Sequence, residues 1–336
     1  MTTIKNILFT LICSIAVVGF AYCQEKPDLG YELITNVGYG KGKITIDGKL
    51  VERDLLLDIY LPSNANKDFT KELKGNPPYP AVILVHGGGF QRGGPRQAPY
   101  TELGAVHSRM EDYAQILTPL GYVCFVVEYR LADELPEPET AIDASWLLNM
   151  EDAITETAVK RANLAREYDG QQALGQAEAK TIIWKTLLSA AEDIKKVVEF
   201  VKTTADTYNV DSEKIGLGGH SAGATTVLNA TYGLDVSVNA AFLLSPVVTG
   251  LDLNKAITNN NIPPMLHVIS QFDEPAVLEF AGVLTERMNK VESGYNLLWI
   301  PGFGHFYPRN SVSLGDDATR ISLQERLIEF LNKHLK

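Results

Sequence analysis

The motif GHSAG at residues 219–223 limits the possible folds of this chain more than any other segment. It follows a short apolar run at 214–217 and precedes a stretch with helical spacing at 222–232. A serine between two glycines at a strand-to-helix turn is typical of a nucleophile elbow, whose strained turn exposes the serine oxygen. The small flanking residues let neighbouring backbone approach, and the helix N-terminus offers free N–H groups. The motif predicts Ser221 as a nucleophile; a glycine-rich turn with a helix-capping serine is the alternative.

The rest of the chain alternates short apolar runs with stretches of helical spacing. The runs are rich in Val, Ile and Leu, as in strands buried on both faces of a parallel sheet. They occupy residues 81–85, 122–127, 214–217, 240–244, 265–269 and 296–300. Earlier strands are predicted at 43–47 and 54–60, a polar loop at 64–80, and helices at 108–117, 190–208, 222–232, 275–290 and 321–335. This alternation predicts an α/β fold with a mostly parallel central sheet and helices on both faces.

One interval breaks the alternation. The segment between Tyr129 and Ser221 is longer than a single crossover needs, and residues 136–189 predict an additional helical insertion interrupted at 169–170. Its apolar residues recur at helical spacing: Ile142, Trp146, Met150 and Ile154. We expect either a lid, with Trp146, Trp184 and Leu187 lining an acyl pocket, or helical packing on the rim of the domain.

A histidine followed by three glycines, at residues 86–89, comes directly after the apolar run 81–85. Attack on an ester carbonyl builds negative charge on the carbonyl oxygen, and backbone N–H groups reach that charge only where no side chain blocks them. We therefore predict oxyanion-hole donors at Gly88, at Gly89 and at Ala222, the residue after the nucleophile. Loss of one such donor costs about 3 kcal/mol of transition-state stabilisation.

A serine nucleophile needs a base, and histidine has a suitable pKa. In chains with this elbow the acid and the histidine follow the serine, so His86 is predicted to hold its loop instead. Among the later histidines, His267 lies in an apolar run and His334 in the basic C-terminal tail. His305 lies in a glycine-flanked loop after the run 296–300, at the carboxyl end of a predicted strand, where catalytic groups of open α/β sheets collect. We predict His305 as the base.

The acid must orient His305 and stabilise its charged form. Asp273 follows the run 265–269 and precedes His305, as the chain order requires. Glu274 is adjacent and Asp252 follows the previous strand, so both are rivals. Asp273 is predicted as the acid, with a simple N-cap of the next helix as its alternative role.

The first 23 residues predict a signal peptide. Lys5 precedes an apolar run at 7–20, and a small-x-small site at 21–23 precedes Gln24. The run is shorter than the roughly 20 apolar residues of a membrane span, although a retained anchor is the alternative. We expect cleavage before Gln24, a hydrolase domain at 24–336, export to the periplasm or medium of a bacterium, and no stable membrane association afterwards.

Charge and cysteine content narrow the range of partners. A formal net charge of −11 opposes binding to nucleic acid or to an anionic membrane. After cleavage only Cys124 remains, in an apolar run, so no intrachain disulfide is expected. No cysteine–histidine cluster in the sequence indicates a metal, and we expect no metal and no cofactor.

With these motifs placed, the sequence resembles the α/β-hydrolase superfamily over nearly all of residues 40–336. HGGG at 86–89, EYRL at 128–131 and GHSAG at 219–223 resemble hormone-sensitive-lipase-like carboxylesterases. His220 and Ala224 make it also similar to bacterial feruloyl and acetyl-xylan esterase-like hydrolases. The resemblance implies ester hydrolysis through an acyl-enzyme without a cofactor, and a cap over the site. The additional insertion at 136–189 departs from that pattern.

The sequence thus predicts a serine carboxylesterase acting on a small-molecule or carbohydrate-linked ester, and it indicates no oligomeric state. The first alternative is a serine exopeptidase of the prolyl-oligopeptidase type, whose usual propeller domain this length does not accommodate. The second is a non-catalytic binding protein on a hydrolase scaffold. Such proteins usually lose the serine or the histidine, whereas Ser221 and His305 are both present.

Overall fold

A computed structural model describes residues 30–63, 77–102, 104–168, 170–247, 250–258, 262–291 and 294–336. The predicted signal peptide, most of the predicted loop at 64–80, and Asp169 lie outside these residues.

The strands of the described ranges form one ten-stranded sheet and a separate two-stranded pair. They are β1 (Tyr31–Ile46), β2 (Lys49–Pro62), β3 (Tyr79–Val85), β4 (Thr101–Glu102), β5 (Ala105–Val106), β6 (Val123–Val127), β7 (Val210–His220), β8 (Ala240–Leu244), β9 (Met265–Ser270), β10 (Tyr295–Ile300), β11 (Val312–Leu314) and β12 (Arg320–Ser322). The sheet order is β1-β2-β6-β3-β7-β8-β9-β10-β11-β12, and β4 pairs with β5. Strands β6, β3, β7, β8, β9 and β10 are parallel, and antiparallel strands extend both edges.

The parallel strands are buried because helices cover both faces of the sheet. Every residue of β6 and β8 is buried, as their unbroken apolar sequences predict. The helices are α1 (Met110–Leu117), α2 (Met150–Ala153), α3 (Glu156–Tyr168), α4 (Gln176–Thr203), α5 (Ala205–Tyr208), α6 (Ala222–Leu228), α7 (Leu253–Ala256), α8 (Pro275–Lys290) and α9 (Leu323–Leu335). No helix in the described ranges is both long and apolar enough to cross a bilayer.

The insertion has a small hydrophobic core of its own. Helices α2 and α3 and the first half of α4 bury Ile154, Val159, Ala162, Ala179 and Ile183 against one another. The prediction of a helix starting at residue 190 was wrong, because α4 begins at Gln176 and continues without a break. The first half of α4 belongs to the insertion core, and its second half packs on the sheet as the crossover helix.

A buried cation joins the insertion to the sheet. The guanidinium of Arg130 is fully buried and pairs with Glu192 at 2.7 Å and Asp193 at 2.8 Å, both on α4. It also donates to the carbonyl oxygens of Lys43 in β1 and Glu137 at the start of the insertion. Loss of this cation would leave the buried carboxylate of Asp193 without a paired cation, which typically costs about 3–5 kcal/mol, whereas Glu192 would keep its pairing with Lys196 at 3.3 Å.

Candidate active site

Ser221 occupies a sharp turn between β7, which ends one residue before it, and α6, which begins one residue after it. Its φ of 54° and ψ of −120° are rare for a residue with a side chain and cost on the order of 1–3 kcal/mol. A Cβ added at Gly219 would lie 2.7 Å from the carbonyl oxygen of Val85, and one at Gly223 would lie 2.2 Å from the same atom. Only glycines fit these positions, so the motif has the geometry of a nucleophile elbow.

Three side chains from three loops form one hydrogen-bonded row. The Ser221 hydroxyl donates to Nε2 of His305 at 2.7 Å, and Nδ1–H of His305 donates to Oδ1 of Asp273 at 2.6 Å. All three residues are buried. They follow β7, β10 and β9 respectively, so parallel strands deliver them to the same edge of the sheet.

The carboxylate of Asp273 is fixed by further donors. Its Oδ2 accepts the Ser245 hydroxyl at 2.5 Å and the Ser270 amide at 3.3 Å, and its Oδ1 accepts the Glu274 amide at 2.9 Å. The Ser245 hydroxyl also contacts the Tyr307 hydroxyl at 3.0 Å. Sequence reasoning missed Ser245, although it directly follows β8 and the strand-end rule that selected His305 applies to it as well.

The two rival acids are engaged elsewhere. Asp252 caps α7 by accepting a backbone amide of that helix, and it pairs with Lys255 at 3.3 Å. Glu274 pairs with Arg161 of α3. Glu274, rather than Asp273, is the N-cap residue of α8, so Asp273 does not have the alternative capping role considered above.

The glycine loop after β3 lies against the nucleophile. A Cβ added at Gly87 would lie 3.3 Å from Cβ of Ser221, whereas no described atom lies within 4 Å of one added at Gly89. Gly88 and Gly89 have φ values of +116° and +63°, which favour glycine. Ala222 is the first residue of α6, where N–H groups have no intrahelical acceptor. Sequence reasoning did not assign Gly87, the first glycine of the loop and a close neighbour of Ser221.

His86 holds this loop, as predicted. Its Nδ1–H donates to the Gly87 carbonyl at 2.6 Å, and its ring stacks on Tyr129 at 4.3 Å between centroids. The Tyr129 hydroxyl in turn donates to the His86 carbonyl at 3.1 Å. Burial lowers the pKa of His86 to about 4, so its imidazole is neutral at pH 7.

Two further buried histidines support the loop that carries His305. Nε2–H of His220 donates to the His305 carbonyl at 3.0 Å, and Nδ1–H of His107 donates to the Tyr307 carbonyl at 3.2 Å. Burial lowers the pKa of His107 to about 4 and that of His220 well below its ordinary value. Both rings are therefore neutral at pH 7 and hold backbone in place. Their support of the His305 loop was not predicted from the sequence.

Other candidate side chains are occupied in the core. His267 is buried in β9, where Nδ1 lies 2.7 Å from the Tyr295 hydroxyl, and burial lowers its pKa to about 3. Cys124 is buried in β6, and burial raises the pKa of its thiol to about 12. Across the described ranges, no group of three His, Cys, Asp or Glu residues is arranged to hold a metal ion.

Helix α3 of the insertion makes contacts on both sides of this site. Arg161 pairs with Glu274, the neighbour of Asp273. One to two turns later, the Ala165 carbonyl accepts from Arg92 at 3.2 Å, and the Arg92 guanidinium lies 5.0 Å from the centroid of the Tyr168 ring. The Arg92 carbonyl is packed against Gly88 of the glycine loop. Helix α3 therefore bridges from the acid side of the row to the glycine loop.

Comparison with protein families finds a match over part of the chain. Residues 161–265 match the BD-FAE family model, a segment that contains Ser221 but neither Asp273 nor His305. No curated protein matches the sequence.

The chain is similar to solved structures of bacterial esterases. Esterase 2 of Thermogutta terrifontis, phosphorylated by paraoxon, superposes with a TM-score of 0.50 at 18% identity, covering 93% of this chain and 95% of that one. The butyrate-bound form of that esterase gives 0.48 at 18% identity over 83% and 86% of the two chains. Esterase B of Lactobacillus Rhamnosis (HN001) gives 0.47 at 15% identity over 83% and 78%.

The predicted α/β class is thereby confirmed, and so is the resemblance to feruloyl esterase-like hydrolases over residues 161–265. Three observations indicate the same fold: the order of the parallel strands, the elbow after β7 and the superposition on esterase 2. The chain adopts the α/β-hydrolase fold and is similar to the BD-FAE family over residues 161–265.

Proposed function

We propose that this chain is a serine carboxylesterase with Ser221 as nucleophile, His305 as general base and Asp273 as the acid that orients it. The hydrogen-bonded row from Ser221 through His305 to Asp273 is the observation that carries the proposal. The tautomer of His305 suits a general base, because the bond to Asp273 places the proton on Nδ1 and leaves the lone pair of Nε2 facing Ser221.

The reaction proceeds in two halves. Nε2 of His305 takes the proton of the Ser221 hydroxyl while Oγ bonds to the ester carbonyl carbon. The protonated His305 then gives that proton to the oxygen of the leaving alcohol, and an acyl-Ser221 ester remains. A water molecule gives a proton to His305 and attacks the acyl carbon, and Ser221 recovers its proton as the acid departs. The negative charge of Asp273 stabilises the imidazolium in both halves.

Backbone amides near Ser221 are assigned to the negative charge of each tetrahedral intermediate. Gly88 and Gly89 present main chain without side chains, and Ala222 lies at the N-terminus of α6. These donors are fixed before reaction, which is the condition for a large electrostatic contribution.

We assign α3 to the wall of the substrate cleft. Residues of a helix are about 100° apart, so Arg161, Leu164, Ala165 and Tyr168 share one face. The opposite face, with Val159 and Ala162, packs into the insertion core. Leu164 lies between the two bridging contacts and is 56% exposed, and Tyr168 is 82% exposed. The exposed Leu164 and Tyr168 side chains suit contact with an apolar or aromatic part of an ester.

Kinetics of single substitutions test the proposal. Wild-type protein should hydrolyse nitrophenyl esters from a series running from acetate to palmitate, or methyl ferulate. Ser221→Ala and His305→Ala should each lower kcat/KM by about 10⁴-fold or more, and the double variant should lose little beyond either single change. Near wild-type hydrolysis by folded Ser221→Ala protein would overturn the proposal.

Export is proposed on the sequence features of residues 1–23 alone. The first residue of the mature protein, determined by mass spectrometry after expression in a bacterial host, should be Gln24. An intact N-terminus in the membrane fraction would instead indicate a retained anchor.

A further inference from the structure

We propose that Glu102 is a positioning residue for His305, an inference that rests on the proposed function. Glu102 ends β4, in the two-stranded β4–β5 pair outside the main sheet. Its Oε2 accepts the backbone amide of Phe306 at 3.0 Å. This carboxylate therefore contacts the main chain directly after His305, and it also lies against Gly304, directly before His305.

Gly304 leaves the space that Glu102 occupies. A Cβ added at Gly304 would lie 2.4 Å from Oε2 and 2.8 Å from Cδ of Glu102. The carboxylate therefore packs directly on the main chain at Gly304 and bonds the main chain at Phe306, with His305 between them. In the described part of the chain no lysine or arginine pairs with Glu102, so the Phe306 amide is its principal partner.

Contacts around Glu102 make β4 and β5 a brace for the His305 loop. The Tyr100 ring stacks on the Phe306 ring at 4.9 Å between centroids. On the far side of the pair, His107 donates to the Tyr307 carbonyl. The His107 amide also donates to the Tyr100 carbonyl at 2.8 Å, which closes the brace on itself.

The remaining bonds of this loop show what Glu102 adds. The Ser270 hydroxyl donates to the Gly304 carbonyl at 2.6 Å, and His220 donates to the His305 carbonyl at 3.0 Å. Both contacts hold carbonyl groups, whereas Glu102 holds the amide of the following residue. Without it, the main chain that orients the imidazole can rotate, and displacement of a catalytic group by about 1 Å can cost up to about 100-fold in rate.

Substitutions at position 102 separate a hydrogen-bonding role from a charge role. Glu102→Ala should lower kcat by about 10- to 100-fold with KM changed less than about twofold, because substrate binding groups are untouched. Glu102→Gln should recover kcat to within about threefold of wild type, since its amide oxygen still accepts the Phe306 amide. Thr101→Ala, an exposed change in the same strand, is the matched control and should behave as wild type.

A double-mutant cycle with Gly304 provides a second test that does not depend on the folding of a single Glu102 variant. Gly304→Ala should displace the Glu102 carboxylate and lower kcat, and in the Glu102→Ala background it should add little, since both changes remove one contact. Additive losses, equal losses in Glu102→Ala and Glu102→Gln, or wild-type kcat in folded Glu102→Ala would each overturn the proposal. If wild-type protein hydrolyses no ester, the proposed function itself is overturned. If wild-type protein is active and the Glu102 variants are as active as wild type, only the role of Glu102 is overturned.

Discussion

Ser221 is a residue whose backbone conformation is unfavourable and whose surroundings enforce it. Its amide donates to the Leu244 carbonyl at 2.8 Å, and the glycines on either side lie within contact distance of the Val85 carbonyl. A serine in that conformation costs free energy of folding, about 1–3 kcal/mol, without adding packing. The strained turn directs the Ser221 oxygen at Nε2 of His305, and the bond between these atoms gives the strain a use.

At the same scale, substitutions at Asp273 and Asp252 test which aspartate acts as the acid that orients His305. Asp273→Asn should lower kcat by about 10⁴-fold, because an amide cannot hold the Nδ1–H tautomer of His305 as a carboxylate does. Asp252→Asn should stay within about threefold of wild type, because asparagine is an equally good N-cap for α7. Steady-state kinetics on a nitrophenyl ester compare the two, and the reverse ranking would move the role to Asp252.

Local sequence was sufficient to predict some site residues and insufficient for others. Ser221 and His305 lie in glycine-flanked turns directly after apolar runs, so strand and turn patterns find them without tertiary information. Glu102 is different, because its partner Phe306 is 204 positions away and nothing in the sequence around residue 102 indicates that contact. Ser245 likewise has significance only through Asp273, which another strand supplies.

At the scale of elements, the insertion packs around its own small core, and its helix α3 contacts Glu274 and Arg92 beside the row. Periodicity predicted the helical character of the insertion, and the structure has helices there from Met150 onward. The prediction was wrong for residues 136–149, because Ile142 and Trp146 of the predicted helical repeat lie in irregular chain that packs on the body of the domain. The boundary at residue 189 was not detectable, because α4 keeps the same helical pattern while its burial changes from the insertion core to the sheet. Of the predicted pocket residues, Trp184 and Leu187 pack against Gly250. Within the insertion, the contacts beside the row are made by Arg161, Ala165 and Tyr168 on one face of α3.

That face makes a prediction about ester size. Replacing Leu164 by Asp together with Tyr168 by Ala should raise KM for bulky aromatic or long-chain esters about fivefold, which corresponds to about 1 kcal/mol of lost apolar contact. Nitrophenyl acetate should be hydrolysed with unchanged KM, because it does not reach α3. Glu167→Ala, an exposed change on another face of the same helix, is the control. An unchanged chain-length profile in the double variant would leave α3 as packing on the rim.

At the scale of the whole molecule, buried neutral histidines dominate the response to acid. Burial lowers the pKa of His86 and His107 to about 4, that of His267 to about 3, and that of His220 well below its ordinary value. In the unfolded chain these groups titrate near 6.5. Burial raises the pKa of Glu111 to about 7 and also raises the pKa values of Asp133 and Asp193, so three carboxyl groups act in the opposite direction against four histidines.

Stability should therefore be fully present above pH 6.5 and fall as the pH drops toward 4, where the unfolded chain binds more protons than the folded one. Each unmatched proton contributes about 1.4 kcal/mol per pH unit. Urea unfolding at constant ionic strength between pH 7.5 and 5 measures the slope, and His267→Gln should make it shallower by about one proton. A free energy of unfolding that is flat or rises toward acid would contradict this account.

The central claim is that Ser221 is the activated nucleophile, and covalent labelling tests it most directly. Esterase 2 of Thermogutta terrifontis, which shares the fold, is phosphorylated by paraoxon. Paraoxon should phosphorylate this chain once, with loss of nitrophenol and of esterase activity, since phosphorylation requires an activated hydroxyl. Peptide mapping by mass spectrometry should place the diethylphosphoryl group on Ser221, and Ser221→Ala protein should stay unlabelled. A group mapped to another residue, or active wild-type protein that is never labelled, would contradict the account.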